Sequence, residues 1–172
     1  AGEALSKASN LHEEANHITR MVMGADGNGH ALSNDGNHLI KFTTGRKPVI
    51  SDLGAIQDDA SNGKISVHNR CTSWGGDLVA AADGSLYLVS AYHSIFNIDV
   101  NNRSAKYIGG ISGLPAGFTS NGAVVDDNGN LVVSSANSTE GYYSVDMKDW
   151  KAVKIPARGP VYNTSDLANG NI

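Results

Sequence analysis

A short turn motif recurs along this chain and constrains its fold more than any other feature. The clearest copies are residues 82–90, ADGSLYLVS, and 127–135, DNGNLVVSS. In each copy a glycine follows an Asp or Asn and precedes a run of apolar residues. Asp and Asn tolerate left-handed backbone angles and glycine adopts them freely, so each copy predicts a tight turn between two β-strands.

The spacing of the copies predicts the architecture. A weaker copy begins at residue 25 and another at residue 166, and the glycines at 27, 84, 129 and 170 are separated by 57, 45 and 41 residues. Four short strands joined by turns fit between residues 121 and 155. Repeats of about 40–45 residues with four strands each are typical of β-propeller blades. The predicted blades cover 19–56, 74–111, 119–155 and an incomplete 162–172.

These blades do not amount to a closed ring. A propeller closes with about four to eight blades, and an open one leaves strand edges unpaired at both ends. The sequence therefore predicts an all-β fold, a partial propeller of about three and a half four-stranded blades within a six- to eight-bladed ring. We expect the chain to be a fragment, with the remaining blades on the same or another chain; a homodimer of half-rings is the alternative.

From residue 19 onward the sequence resembles β-propellers of the NHL-like and WD-repeat-like kind. The resemblance rests on the D-x-G-x-L turn and on third strands that end in Asp, namely FNID at 96–99 and YSVD at 143–146. The sequence of residues 121–131 also resembles that of uncharacterised envelope propellers of Bacteroidota. These resemblances imply a fold and a bacterial envelope or secreted location.

Two segments stand outside the blade pattern. Residues 1–18 carry Leu5, Ala8, Leu11 and Ala15 at helical spacing, which predicts an N-terminal helix or a linker. Residues 57–73 form the longest polar interruption and explain the 57-residue spacing. Within this interruption, KISV at 64–67 predicts a small extra strand.

Composition excludes some classes of function. The net charge of −4 argues against nucleic acid as a main partner, because phosphate binding requires a basic surface. No apolar run approaches the length of a membrane span. The single cysteine, Cys71, permits no internal disulfide. A composition rich in Asn, Ser, Thr and Gly favours the periplasm, the cell surface or the medium.

Candidate binding residues follow from how a propeller is built. The first strand of each blade lines the central channel, and the loop leading into it shares a rim with the loop between the second and third strands. Ligands and partners of this architecture usually bind at that rim. The predicted rim residues are Trp74, Asp77, Tyr92, His93, Asn121, Asn137, Glu140, Asn163 and Asp166.

Several of these residues allow more than one interpretation. Asp77, Asn121 and Asp166 carry hard oxygen atoms that suit one divalent ion such as Ca²⁺, and the alternative is that they cap turns. Trp74 offers a flat apolar face to a partner, or it wedges between blades as part of the core. His93 is a catalytic or a solvated loop histidine. No catalytic constellation is complete, so no catalytic residue is predicted.

The function that these patterns favour is a non-enzymatic binding or scaffold module. Its rim loops would bind a protein or a glycan in the bacterial envelope or outside the cell. One alternative is a metal-dependent, lactonase-like hydrolase with a divalent ion in the channel, which the resemblance to gluconolactonase propellers implies. Here no Glu stands at the start of a first strand, which departs from that group. Another alternative is a structural subunit of a secretion or surface-adhesion assembly.

Overall fold

Three antiparallel sheets follow one another along the chain in a computed structural model that describes residues 13–168. In each sheet the four strands of the blade form a meander, in which neighbouring strands are consecutive in sequence, and one further strand joins the edge of the middle sheet in parallel. Blade one comprises β1 (Ile18–Met23), β2 (Asn28–Ser33), β3 (Leu39–Thr43) and β4 (Ile50–Asp52). Blade two comprises β6 (Asp77–Ala80), β7 (Leu86–Val89), β8 (Ser94–Asp99) and β9 (Ser104–Gly110), with β5 (Gln57–Asp58) added at its edge. Blade three comprises β10 (Gly122–Val125), β11 (Leu131–Ser134), β12 (Tyr143–Asp146) and β13 (Lys151–Lys154).

The recurring turn has the same backbone hydrogen bond in all three blades, from the glycine N–H to the carbonyl three residues before it, at 2.9–3.0 Å. In blades one and two the aspartate before the glycine, Asp26 or Asp83, accepts through Oδ1 from the N–H of the residue after the glycine, at 3.0 and 2.9 Å. In blade three Asp126 does this from the start of the turn, because its Oδ1 accepts from Asn130 N at 2.9 Å. The glycine that completes each turn has a φ between +73° and +87°. This conformation favours glycine, and the aspartate replaces a backbone acceptor inside the turn. The sequence motif is therefore a set of side-chain and backbone requirements for one hairpin.

The core lies between the blades. Leu32 and Leu39 of blade one pack in one cluster with Leu88 and Phe96 of blade two. Alternate residues of blade two point the other way, and Val89 joins a second cluster with the apolar face of blade three. Both faces of the middle sheet are therefore buried, and each blade is stabilised mainly by its neighbours.

The outer faces of the first and third blades stay open in the described part of the chain. Met21 is 60% exposed on the face of blade one that turns away from blade two, and Met23 and Ile50 are also exposed there. Val153, on the outer strand of blade three, is 64% exposed. In a complete propeller, apolar faces of this kind pack against the next blade. Their exposure here is what a partial propeller would show.

The predicted strand at 64–67 was wrong, because these residues form turns. The extra strand is β5, which pairs in parallel with β9 at the outer edge of blade two. Asn62, nearly buried, continues this edge pairing through its side chain. Its Nδ2 donates to Ala105 O at 2.8 Å, and its Oδ1 accepts from Tyr107 N at 2.7 Å. A single amide thus takes the place of two backbone groups of a strand.

We expect Asn62→Ala to destabilise the fold by about 1–3 kcal/mol, because the partly buried N–H of Tyr107 would lose its acceptor and Ala105 O would keep only its bond from Asp59 N. Urea-unfolding midpoints measure this effect. Asn102→Ala is the matched control, since Asn102 also bonds through its side chain but in an exposed turn, to Asp99. An equal loss in both variants would contradict the edge-capping role.

The predicted N-terminal helix falls mostly outside the described residues. Of its range, Glu14–Asn16 form one turn of 3-10 helix and β1 begins at Ile18. Within residues 13–168, no helix has the length and apolar character needed to cross a bilayer.

Candidate functional site

Hydrogen bonds join the rim loops into a continuous belt. Each blade's loop after its second strand contacts the segment that leads into the next blade. Asn34 Oδ1 accepts from Gly75 N at 3.1 Å, and Ala91 O accepts from Ser120 N at 3.1 Å. In the same way Ser135 O accepts from Thr164 N at 3.0 Å. Residues 163–168 therefore follow blade three as the start of a fourth inner segment.

Arg20, Asp77 and Gly122 hold the same position in the inner strands of the three blades. Each lies seven residues before its turn glycine and pairs with a residue near the end of the second strand. Asp166 lies directly beyond Gly122, because a Cβ on that glycine would approach the Asp166 carbonyl carbon to 2.9 Å. Charged groups from blades one and two and from the fourth segment therefore meet at one level of the inner wall.

Arg20 is a buried charge of the inner wall that was not among the residues predicted from the sequence. Its side chain is completely buried, although β1 reads as an ordinary alternating strand. Nη1 donates to Ser73 O at 3.1 Å and Nη2 donates to Ser33 O. Burial lowers the pKa of Arg20 to about 9, and the nearby carboxylates of Asp35 and Asp77 act in the opposite direction. The sequence did contain one sign of this position, because Arg20 and Asp77 both lie seven residues before the turn glycine of their blade.

Asp77 joins blade two to blade three. Its Oδ1 accepts from Leu78 N at 2.8 Å and its Oδ2 accepts from Ala123 N, across the blade boundary, at 2.9 Å. Burial raises the pKa of Asp77 to about 7, and the carboxyl of Asp166 raises it further, while the two backbone N–H bonds oppose the shift.

The three candidate metal ligands do not form a ligand set in residues 13–168. Both oxygens of Asp77 accept backbone N–H groups. Asn121 Oδ1 accepts from Ala136 N at 3.0 Å and from Thr119 Oγ1 at 2.5 Å, so it caps the rim loop. Asp166 is the member whose carboxylate is exposed to solvent. No group of three or more His, Cys, Asp or Glu side chains within the described residues is arranged to hold a metal ion.

Trp74 is anchored at the rim and half-buried. Its Nε1 donates to His68 O at 3.0 Å. The guanidinium of Arg70 lies 5.4 Å from the centre of its ring, a cation–π contact, and Arg70 also bonds Glu14 at 2.7 Å. One face of the indole is therefore covered by Arg70, which leaves less of it for a partner than an unstacked tryptophan would offer.

The most exposed aromatic groups of the rim are two tyrosines. Tyr92 is 56% exposed and lies in the loop whose backbone bonds both Trp74 O and Ser120 N. Tyr162 is 63% exposed, and its N–H donates to the Tyr142 hydroxyl at 3.4 Å. Tyr162 lies in the rim loop 162–166 that the sequence predicts, but it was not among the predicted binding residues. The other predicted rim residues, Asn137, Glu140 and Asn163, are exposed as well.

His93 and Ser120 form a pair that resembles a nucleophile and its base, but the serine is inaccessible. Nδ1 of His93 lies 2.9 Å from Ser120 Oγ, and His93 has a φ of +73°. Burial lowers the pKa of His93. Ser120 has no exposed surface, so its hydroxyl cannot reach a substrate. The pair links the loop of blade two to the start of blade three.

A cavity of about 580 Å³ lies along the inner wall. The inner strands β1, β6 and β10 line it, together with residues 166–168 and with Phe42 of β3. Its wall is mostly apolar, with Asp166 as its one charged group among the described residues. This combination is typical of a small-molecule or side-chain binding pocket.

Comparison with solved structures identifies the fold. A Bacteroides fragilis protein provisionally named a 6-phosphogluconolactonase superposes with a TM-score of 0.52 at 16% identity, over 89% of this chain and 41% of that one. The extracellular domain of a hybrid two-component system from B. thetaiotaomicron, also provisionally named, superposes with a TM-score of 0.50 at 16% identity, over 93% and 22%. The fold is that of a β-propeller. The predicted fold class is confirmed, and identities this low show the fold alone.

This chain spans less than half the length of these two structures. Virginiamycin B lyase from Staphylococcus aureus superposes with a TM-score of 0.48 at 12% identity. The match covers 81% of this chain and 41% of that one. No protein-family model and no curated protein sequence matches this chain.

Proposed function

We propose that this partial propeller is a binding module that recognises a protein or a glycan through its rim loops, in the bacterial envelope or outside the cell. The observation that carries the proposal is the exposure of Tyr92 and Tyr162, at 56% and 63%, on loops held in place by hydrogen bonds. Tyrosines present a large amphipathic surface with little conformational entropy to lose, which suits both protein and sugar partners.

The belt of hydrogen bonds supports this proposal because it fixes the rim before any partner arrives. Ala91 accepts from Ser120 and donates to Trp74, so the segment on either side of Tyr92 is tied to two blades. A rim that is already ordered loses little entropy on binding.

The metal-dependent hydrolase is less well supported than the binding module. Asp77 and Asn121 use their oxygens in hydrogen bonds within the rim, and Asp166 alone does not make a metal site. A structural role in a larger assembly is the second candidate, and the exposed apolar side chains on blade one favour it.

We expect the Tyr92→Ala, Tyr162→Ala double variant to bind its partner at least about tenfold more weakly, because exposed aromatic residues dominate binding energy at such surfaces. A glycan array and an array of envelope proteins, both probed with the labelled chain, find the partner. Biolayer interferometry then gives the affinities.

Val153→Ala is the matched control, since Val153 is 64% exposed on the outer strand of blade three, away from the rim. Equal losses in the control and the rim variant would rule out the rim as the binding surface. Weakened binding in the control alone would favour the assembly role.

A further inference from the structure

A second cavity, of about 490 Å³, lies between blades one and two at the end of the blades opposite the rim. The rim loops precede each first strand, so the turn that follows that strand lies at the other end of the blade. Residues 24–26 of blade one line the cavity, together with residues 83–86 and 97–101 of blade two. Its volume is within the range of about 300–1,000 Å³ that is typical of small-molecule sites. Because it lies away from the rim, its role does not depend on the proposed function.

At the next boundary, between blades two and three, two aromatic side chains fill the corresponding space. Tyr87 of β7 and Trp150, which follows β12, pack with their ring centres 6.1 Å apart. Both rings lie against the core that these two blades share. Tyr87 is the third residue after its turn glycine, and Trp150 is the fourth residue after the end of its third strand.

His30 and Arg103 hold these two positions at the boundary between blades one and two. His30 has the same spacing from its turn glycine as Tyr87, and Arg103 has the same spacing from the end of its third strand as Trp150. The φ of Arg103 is +51° and that of Trp150 is +57°, so the two turns agree in backbone conformation at this point. The Arg103 side chain does not line the cavity, and its Nη1 donates to Leu53 O at 2.8 Å. The cavity therefore exists because a smaller ring and a side chain that turns away replace an aromatic pair.

His30 carries a polar atom whose bonding is incomplete. The residue is only 3% exposed and lines the cavity. Its Nε2 lies 3.5 Å from Asp26 Oδ1, whereas its Nδ1 is buried without a hydrogen-bond partner among residues 13–168. Buried polar atoms of native proteins are nearly always hydrogen-bonded, so this one indicates a partner that the described residues do not supply. With the ring proton on Nε2, facing the carboxylate, Nδ1 is an acceptor and needs a donor.

The charged groups of the cavity wall are mainly acidic. Asp26, Asp83 and Asp99 line it, and Lys41 is the basic side chain among them. Lys41 Nζ lies 3.4 Å from Asp26 Oδ2, so it offsets one of the three negative charges. Hydrogen bonds within turns lower the pKa of all three carboxyl groups, so each stays ionised at neutral pH. A wall that is negatively charged and mainly accepts hydrogen bonds suits a ligand that is positively charged and donates them.

We propose that this cavity binds an organic cation, whose ammonium group lies among Asp83, Asp99 and the free Nδ1 of His30. Two sources supply such a group, namely a free aliphatic amine and the lysine side chain of a partner protein. A neutral sugar fits less well, because each of its hydroxyl groups brings acceptors as well as a donor to a wall that mainly accepts.

Titration of the ¹⁵N-labelled chain with 1,5-diaminopentane at neutral pH, followed by NMR, tests the proposal. We expect the amide signals of Gly84 and Asn101, which line the cavity, to shift with a Kd on the order of 1 mM, as a ligand of this size allows. The signal of Gly129, in the equivalent turn of blade three, should stay unchanged. The uncharged 1,5-pentanediol has the same length and should bind at least about tenfold more weakly, since it makes no charge-assisted hydrogen bonds.

A short peptide with a central lysine distinguishes the two sources of the ammonium group. Tighter binding of the peptide than of the diamine would support a partner protein as the source, and weaker binding would support a free amine. Absence of binding by both cations would overturn the proposal.

Paired substitutions test the residues of the cavity. Asp83→Asn combined with Asp99→Asn should weaken diamine binding about fivefold or more, because each side-chain oxygen still caps its turn while both charges are lost. Asp127→Asn combined with Asp146→Asn is the matched control, since it removes the same charge from the same end of blade three. His30→Tyr should abolish binding by filling the space with the ring that occupies it at the next boundary. Equal losses in the two asparagine pairs, unchanged binding in His30→Tyr, or equal shifts with the diol or with calcium chloride would refute the proposed site.

Discussion

Arg20→Met is expected to lower the free energy of unfolding by about 3–5 kcal/mol, because two buried carbonyl groups would lose a charged hydrogen-bond donor. Arg20 has no exposed surface, and its guanidinium donates to the carbonyl groups of Ser33 and Ser73. Methionine fills a similar volume, so the loss would come from unpaired carbonyls and from an uncompensated Asp77. Urea unfolding at pH 7, followed by circular dichroism, measures the change.

Arg70→Met is the matched control for the loss of a guanidinium. Arg70 is 69% exposed and pairs with an exposed Glu14, so its replacement should cost less than about 1 kcal/mol. If the two arginine variants lost equal stability, the buried charge would have no special role. Adding Asp77→Asn to Arg20→Met should restore part of the loss, since the carboxylate left without a counter-charge would be gone.

The pH dependence of stability separates Asp77 from the other acidic residues. The pKa of Asp77 is about 7 in the folded chain, above its value in an unfolded chain, so folding favours the protonated form. Stability from this group is therefore lost as the pH rises toward 7 and changes little above it. Hydrogen bonds within turns lower the pKa of Asp59, Asp83 and Asp99. The stability that these three carboxylates contribute is therefore lost only at acidic pH.

The repeated turns made the fold predictable from sequence, and the inner wall shows why the site was harder to predict. Each turn is specified locally by an Asp and a glycine three or fewer positions apart, so the hairpins, the blade order and the partial ring follow from short windows. The neighbours of Arg20 are Ser33, Ser73 and Asp77, which lie 13, 53 and 57 residues further along the chain. Such contacts exist only after the blades have packed together.

The small strand of the 57–73 interruption was misplaced for a related reason. KISV has the β-branched residues of a strand, but an edge strand also needs a partner, and β9 pairs with the polar residues Gln57 and Asp58 instead. The environment of Trp74 was equally hard to predict. Arg70, four residues earlier, stacks on its ring only because the turn between them brings the two side chains together.

Gly76→Ala is the second substitution with a large expected effect. It should lower the free energy of unfolding by roughly 3–5 kcal/mol and distort the rim. A Cβ at Gly76 would stand 1.9 Å from Val89 O, 2.7 Å from Ser90 C and 2.8 Å from Ala91 N. All three are backbone atoms, so no side-chain rotation relieves the overlap and the loop carrying Tyr92 must move. Losses of this size are exceptional for one methyl group and arise only where packing leaves no space.

Gly129→Ala isolates the backbone part of that effect. Gly129 has a φ of +78° against +81° for Gly76, but no atom lies within 4 Å of its Cβ position. Its alanine variant should lose only the cost of a left-handed conformation, about 1–2 kcal/mol. Both variants are compared by thermal unfolding and by exchange of the Ala91 amide, which bonds Trp74 O at 3.3 Å. Equal stability losses, with the Ala91 amide equally protected, would mean that the rim tolerates a displaced loop and that the close approach at Gly76 does not hold Tyr92 in place.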